Sequence, residues 1–231
     1  MNAQRIAITV DTDTVIDALL LTPANVCAGY VFAHGAGAGM THPFLAAVAT
    51  GLAARGIATL RYQFPYMQRG SRHPDTPATA HATVRAAVAQ AARLLPQLPL
   101  FAGGKSFGGR MTSQAQAAAA LHDVRGLIFL GFPLHPAKRP SDARAAHLSD
   151  VRVPMLFLQG TRDELADLEL LRPLIERLGA RATLALCDDA DHAFHVPARS
   201  GRKDVDVLVQ LLDAVARWIA SMSNSGSNAA A

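Results

Sequence analysis

The chain has 231 residues, half of them hydrophobic and 17% charged, with 17 glycines, two cysteines and a net charge of +4. That length fits one domain with a sizeable core, while Cys27 and Cys187 are too few for a disulfide framework or a four-cysteine metal site, and no apolar run approaches the roughly 18 residues of a membrane span. The basic residues, nearly all arginine, are scattered along the chain without the stripe and interleaved aromatics of a nucleic-acid groove.

In chain order, residues 1–14 alternate polar and apolar and lack the apolar region of a signal peptide, so a cytoplasmic protein is expected. Strands are expected at 5–10 and 14–21, separated by Asp-Thr-Asp turn chemistry. A third, Cys27–Ala33, stops abruptly at His34-Gly35-Ala36-Gly37-Ala38-Gly39. A helix then opens at Pro43 and carries Leu45, Val48 and Leu52. Further expected elements are a strand at 57–62, a helix at 79–95, a strand at 100–104 and an Ala-rich helix at 106–121. Strands at 126–132 and 154–160 follow, joined by a polar connector. A helix at 168–178, a strand at 182–187 and a helix at 205–222 complete residues 1–222, read as a single domain. Residues 223–231, small and polar, read as a frayed tail.

Strands alternating with helices predict an α/β fold: a mostly parallel central sheet of about seven to eight strands flanked by helices. Ligands bind such sheets beyond the carboxyl ends of the strands, which is where chemistry is to be sought.

Gly104-Lys105-Ser106-Phe107-Gly108 matches G-x-S-x-G between an expected strand and an expected helix, the context in which a strained turn lifts a serine hydroxyl above the sheet edge. The embedded Gly-Lys-Ser is not a phosphate-binding loop, because the glycine required five residues before Gly104 is Pro99. A serine nucleophile needs a base, and the base an orienting acid. Asp163 follows the strand ending at Gly160, and His192 follows the one ending near Cys187, giving the order Ser, Asp, His that this arrangement requires. Glu164 stands as an alternative acid and His195 as an alternative base. Asp150 precedes its strand and is disfavoured. Asp188, Asp189 and Asp191 lack the spacing of a calcium loop and read as a solvated turn. The amides of Ala36 and Phe107 are the expected oxyanion donors. Lys105, next to the nucleophile, is expected to point away from the hydroxyl, its amine bonded to carbonyls or a carboxylate.

Five segments are similar to a known family: His34-Gly-Ala-Gly-Ala-Gly-Met40, Phe64-Pro-Tyr-Met67, Gly103-Gly-Lys-Ser-Phe-Gly-Gly-Arg110, Pro133-Leu-His-Pro136 and Gln159-Gly-Thr-Arg-Asp163. Together they resemble the α/β-hydrolase superfamily, in its dienelactone-hydrolase-like branch. They are similar to predicted bacterial hydrolases related to animal testis-expressed and NSL-complex subunits. The resemblance spans about residues 25–220. It implies a hydrolase fold and carries Ser106, Asp163 and His192 over as triad members. Glu164-Leu165 departs from the aromatic and glycine expected after the acid, a change that bears on the pocket.

The expected activity is cleavage of a small ester or thioester through an acyl-enzyme, with no metal and no organic cofactor. The alternative is a non-catalytic interaction module on the same fold. Expected substrate contacts are His34, Arg69, Arg110 and His135. With Arg72, His73, Arg162 and Lys105 nearby in sequence, the cationic set suggests an anionic acyl substrate. The connector from Pro133 to Asp150 allows a minimal cap. Neither nucleic acid nor a membrane is expected as a partner, and the sequence is silent on oligomeric state.

Overall fold

A computed structural model of the chain describes residues 2–224. Eight strands form one sheet: β1 (Gln4–Thr9), β2 (Val15–Leu21), β3 (Ala28–Ala33), β4 (Ile57–Tyr62), β5 (Leu100–Lys105), β6 (Val124–Leu130), β7 (Met155–Gly160) and β8 (Ala182–Cys187). Their spatial order is β1-β2-β4-β3-β5-β6-β7-β8. β2 pairs antiparallel with both β1 and β4, and every pairing from β4 to β8 is parallel.

The central strands β3, β4 and β7 are buried at every position, as expected for a parallel sheet covered on both faces. Helices α1 (Pro43–Ala53) and α6 (Asp204–Asn224) cover one face. There Leu45, Val48, Leu211, Val215 and Ile219 pack over Phe101 and Ile128. Helices α3 (Pro77–Leu94), α4 (Phe107–Ala118) and α5 (Leu168–Leu178) cover the other, packing Val84, Met111 and Leu171 against Phe129 and Phe157. The starts of α1, α3 and α5 are capped by side chains: His42 accepts from the Phe44 N–H, Thr76 from Thr79 and Asp167 from Glu169.

Several boundaries differ from the sequence reading, for local reasons. β6 ends two residues early because Gly131 turns to φ +69° and the Phe132 N–H goes to the Gln159 side chain. α4 stops at Ala118, not residue 121; Ala119 is extended and Gln116 captures the Leu121 N–H. A short helix α2 (Pro65–Gln68), which no periodicity signalled, follows β4. The connector after β6 holds a 3-10 turn over Ala143–Asp150. α6 runs to Asn224, and residues 225–231 of the expected tail lie outside the described residues.

Candidate active site

The turn from β5 into α4 packs on the carboxyl end of β3. A Cβ on Gly104 would fall 2.4 Å from the Ala33 carbonyl oxygen, and one on Gly108 would fall 2.6 Å from that of His34. Side chains at either position would drive the turn off the sheet. Ser106 sits at its apex with φ +50° and ψ −115°, a strained conformation for a residue with a Cβ, costing on the order of 1–3 kcal/mol. Its N–H is tied to the Leu130 carbonyl at 3.2 Å.

The structure brings Ser106, His192 and Asp163 together. His192 Nε2 lies 2.9 Å from Ser106 Oγ, and His192 Nδ1 lies 2.7 Å from Asp163 Oδ2. A carboxylate only accepts, so Nδ1 carries the hydrogen and the Nε2 lone pair faces the serine hydroxyl. The Asp163 side chain is wholly buried, while that of His192 is 26% exposed. Asp163 also accepts from the Leu165 N–H at 2.8 Å and from Gln159 Nε2. Gln159 in turn accepts the Phe132 N–H at 2.9 Å. Of the two alternatives, Glu164 lines a separate hollow with Asp163. His195 is turned away, its Nδ1 2.6 Å from Asp204 on α6.

The loop bearing His192 is stitched from within. Asp191 Oδ1 accepts the N–H groups of Ala193 at 2.8 Å and His195 at 2.9 Å. Lys105 Nζ donates to the His192 carbonyl and lies 5.3 Å from the Phe194 ring centroid. Burial pulls its ammonium down to about 8, opposed by the charges of Asp163 and Asp191. The acidic turn is therefore partly internal, with Asp191 serving the loop that holds the imidazole.

Ala36 and Phe107 line the same cleft as Ser106. Phe107 is the first residue of α4, so its N–H has no partner within the helix. The loop bearing Ala36 is held by the segment after β4. The Gly37 N–H donates to Tyr66 Oη at 3.0 Å and the Met40 N–H to Gln63 Oε1 at 2.8 Å.

Four residues were expected to touch substrate, and their placements diverge. His34 is fully buried. Its Nδ1 donates to the Gly35 carbonyl at 2.7 Å and its Nε2 accepts from the Phe64 N–H at 3.1 Å. With both nitrogens occupied, it orients the loop, as its place at the start of the Gly-Ala run also suggested, and is not a substrate contact; burial lowers its pKa to about 4. His135 is also buried, bonded to the Pro136 carbonyl at 2.9 Å and the Asp167 N–H at 3.0 Å. Arg69 points outward and pairs with Asp75 at 2.7 Å. Arg110 alone of the four lines the cleft with Ser106.

That cleft has a volume of about 390 Å³ and is walled by Pro74, Pro77, Met111, Pro133 and Leu165. Leu165 thus supplies an apolar wall where the Glu164-Leu165 departure falls. A second serine–histidine pair lies nearby, Ser113 Oγ to His147 Nε2 at 2.7 Å. Ser113 is buried in the middle of α4 and its hydroxyl donates to the Arg110 carbonyl, so its oxygen accepts from His147. No carboxylate bonds His147 among the described residues, and the pair fastens the 3-10 turn to α4.

A family model described as an alpha/beta hydrolase domain matches residues 26–220. Among solved structures, the chain is similar to an a/b serine hydrolase without lid from Xanthomonas campestris, at 23% identity and TM-score 0.72, covering 94% of this chain and 95% of that one. It is similar to dienelactone hydrolase from Anabaena variabilis at 20% identity and TM-score 0.74, with 96% and 99% covered. It is also similar to Est1E from Butyrivibrio proteoclasticus, in a structure with ferulic acid bound, at 18% identity and TM-score 0.73, with 95% and 99% covered. At these identities the likeness is one of fold. Among the described residues, no helix is long and apolar enough to cross a membrane.

Proposed function

The chain belongs to the alpha/beta hydrolase domain family, and from that premise we propose that it is a serine hydrolase of small ester or thioester substrates. The observation that carries this reading is the unbroken chain of hydrogen bonds from Ser106 Oγ through His192 to Asp163, at 2.9 and 2.7 Å, on a serine held at positive φ.

In the proposed reaction Ser106 Oγ bonds to the acyl carbon as its proton passes to His192 Nε2, and the carbonyl electron pair moves onto oxygen. The amides of Ala36 and Phe107 stabilise that oxyanion, a donor of this kind being worth about 10²–10³ in rate. Collapse expels the alcohol or thiol, which takes the proton from Nε2 and leaves an acyl-Ser106 ester. Water then repeats the cycle and frees the acid, returning the proton to Ser106. Asp163 keeps the imidazole in the productive tautomer throughout.

The test is hydrolysis of a panel of 4-nitrophenyl esters and acyl thioesters by wild type and by Ser106→Ala. Turnover of at least one substrate is expected, with a fall of about 10⁴-fold or more in kcat for the variant. A folded Ser106→Ala protein that keeps the wild-type rate contradicts it.

A further inference from the structure

We propose that Arg110 and Arg144 form an oxyanion-binding subsite in the cleft beside Ser106, taking a carboxylate or phosphate at the far end of the substrate's acyl group. Both arginines line the cleft that contains Ser106, Ala36 and Phe107. Among the described residues, neither enters an ion pair, and the buried Arg110 Nε has no hydrogen-bond partner.

Other arginines of this protein are treated differently. Arg55 has Asp213 and the Gly51 carbonyl, Arg85 has the carbonyls of Ala115 and Ala119, and Arg202 has Gln210 and the Asp188 carbonyl. Arg110 instead has Arg144 for a neighbour. Burial first, and the Arg144 charge second, hold its guanidinium below the usual arginine range. Two cations drawn together in a half-buried cleft are a cost that a bound oxyanion removes. The one acid lining the cleft, Asp75, is already occupied by the Tyr66 N–H at 2.8 Å and Arg69 Nη2 at 2.7 Å.

The juxtaposition is built into the fold. Arg110 stands one helical turn after Ser106, its N–H donating to the Ser106 carbonyl at 3.1 Å, so both project from the start of α4. Arg144 comes from the 3-10 turn. The Ser113–His147 bond joins these two elements, and each arginine lies three residues before one of the bonded pair. The second serine–histidine pair is thus the clamp that sets the distance between the two guanidinium groups. The apolar residues of the same cleft, Met111 and Leu165 among them, suit the methylenes of an acyl chain.

This assignment rests on the hydrolase reading for which end of the ligand reacts, but anion binding itself can be measured without turnover. Adipate and n-butyl phosphate are titrated calorimetrically into Ser106→Ala protein, and into the same protein carrying Arg144→Gln, Arg144→Lys or Arg110→Gln. The expected result is saturable binding of at least one probe, weakened tenfold or more by Arg144→Gln and partly restored by Arg144→Lys. Which probe binds identifies the anion. Arg144 is half-buried on the 3-10 turn and outside the helices and sheet, so its variants report even if Arg110→Gln fails to fold. No binding of either probe, or binding unchanged in Arg144→Gln, overturns the subsite whether or not the protein hydrolyses esters. Neutral esters turned over by Ser106 without anion binding leave the hydrolase reading standing and remove this one.

Discussion

Lys105 and His192 lie 87 positions apart, and the Lys105 ammonium donates to the His192 backbone carbonyl at 2.5 Å. The residue preceding the proposed nucleophile therefore grips the loop that carries the proposed base, so one side chain sets the distance between them. Misplacement of a reacting group by about 1 Å can cost about 10²-fold in rate. Lys105→Met is expected to lower kcat by about 10–10²-fold with a smaller change in KM, read by steady-state kinetics on a neutral ester.

The same lysine gives a pH signature in stability. Burial lowers its pKa from 10.5 to about 8, so between those values the unfolded chain binds more protons than the folded one. Stability contributed at this site is lowest below pH 8 and rises as pH climbs toward 10.5. Urea unfolding of wild type against Lys105→Met should show wild type gaining relative stability across that window.

Gln159 links Asp163 to the Phe132 N–H from inside the sheet. Gln159→Leu leaves that N–H unsatisfied and removes one of the three donors that hold the Asp163 carboxylate, the others being the Leu165 N–H and His192. The expected loss is about 1–3 kcal/mol of stability, measured by urea unfolding, with kcat down about tenfold or more.

Acid should weaken the fold through its neutral histidines. Burial lowers His34 and His147 to about 4, below the usual histidine value of about 6.5. Between about pH 6.5 and 4 the unfolded state takes up protons that the folded state refuses, so stability falls as pH drops through that window. For the fully buried His34 alone, the drop from pH 6.5 to 5 is about 2 kcal/mol. His34→Gln, assayed by urea unfolding at both pH values, should be less stable at neutral pH and show a shallower acid dependence.

The parts legible in sequence were those written in local pattern. Apolar runs such as Leu127-Ile128-Phe129-Leu130 became buried strand, and three strand ends in one sheet held Ser106, Asp163 and His192 within hydrogen-bond reach. What could not be read were meetings between loops distant in sequence. Tyr66 Oη reaches Gly37, Asp191 braces the loop of His192, and Arg144 arrives beside Arg110. Periodicity says which face of an element is buried, not which loop crosses it. The polar Gln159 in the otherwise apolar strand Met-Leu-Phe-Leu-Gln-Gly, four residues before Asp163, is the sequence signal of a buried partner for that carboxylate. The sequence left His34 and His135 open between ligand and backbone, and burial with two internal bonds each decides for the backbone.

Fluorophosphonate labelling with peptide mapping of the modified site shows directly whether Ser106 is the activated nucleophile. One covalent adduct is expected, on Ser106, absent from Ser106→Ala and undiminished in Ser113→Ala. An adduct on Ser113, or unlabelled wild-type protein under conditions where a control esterase reacts, would contradict it.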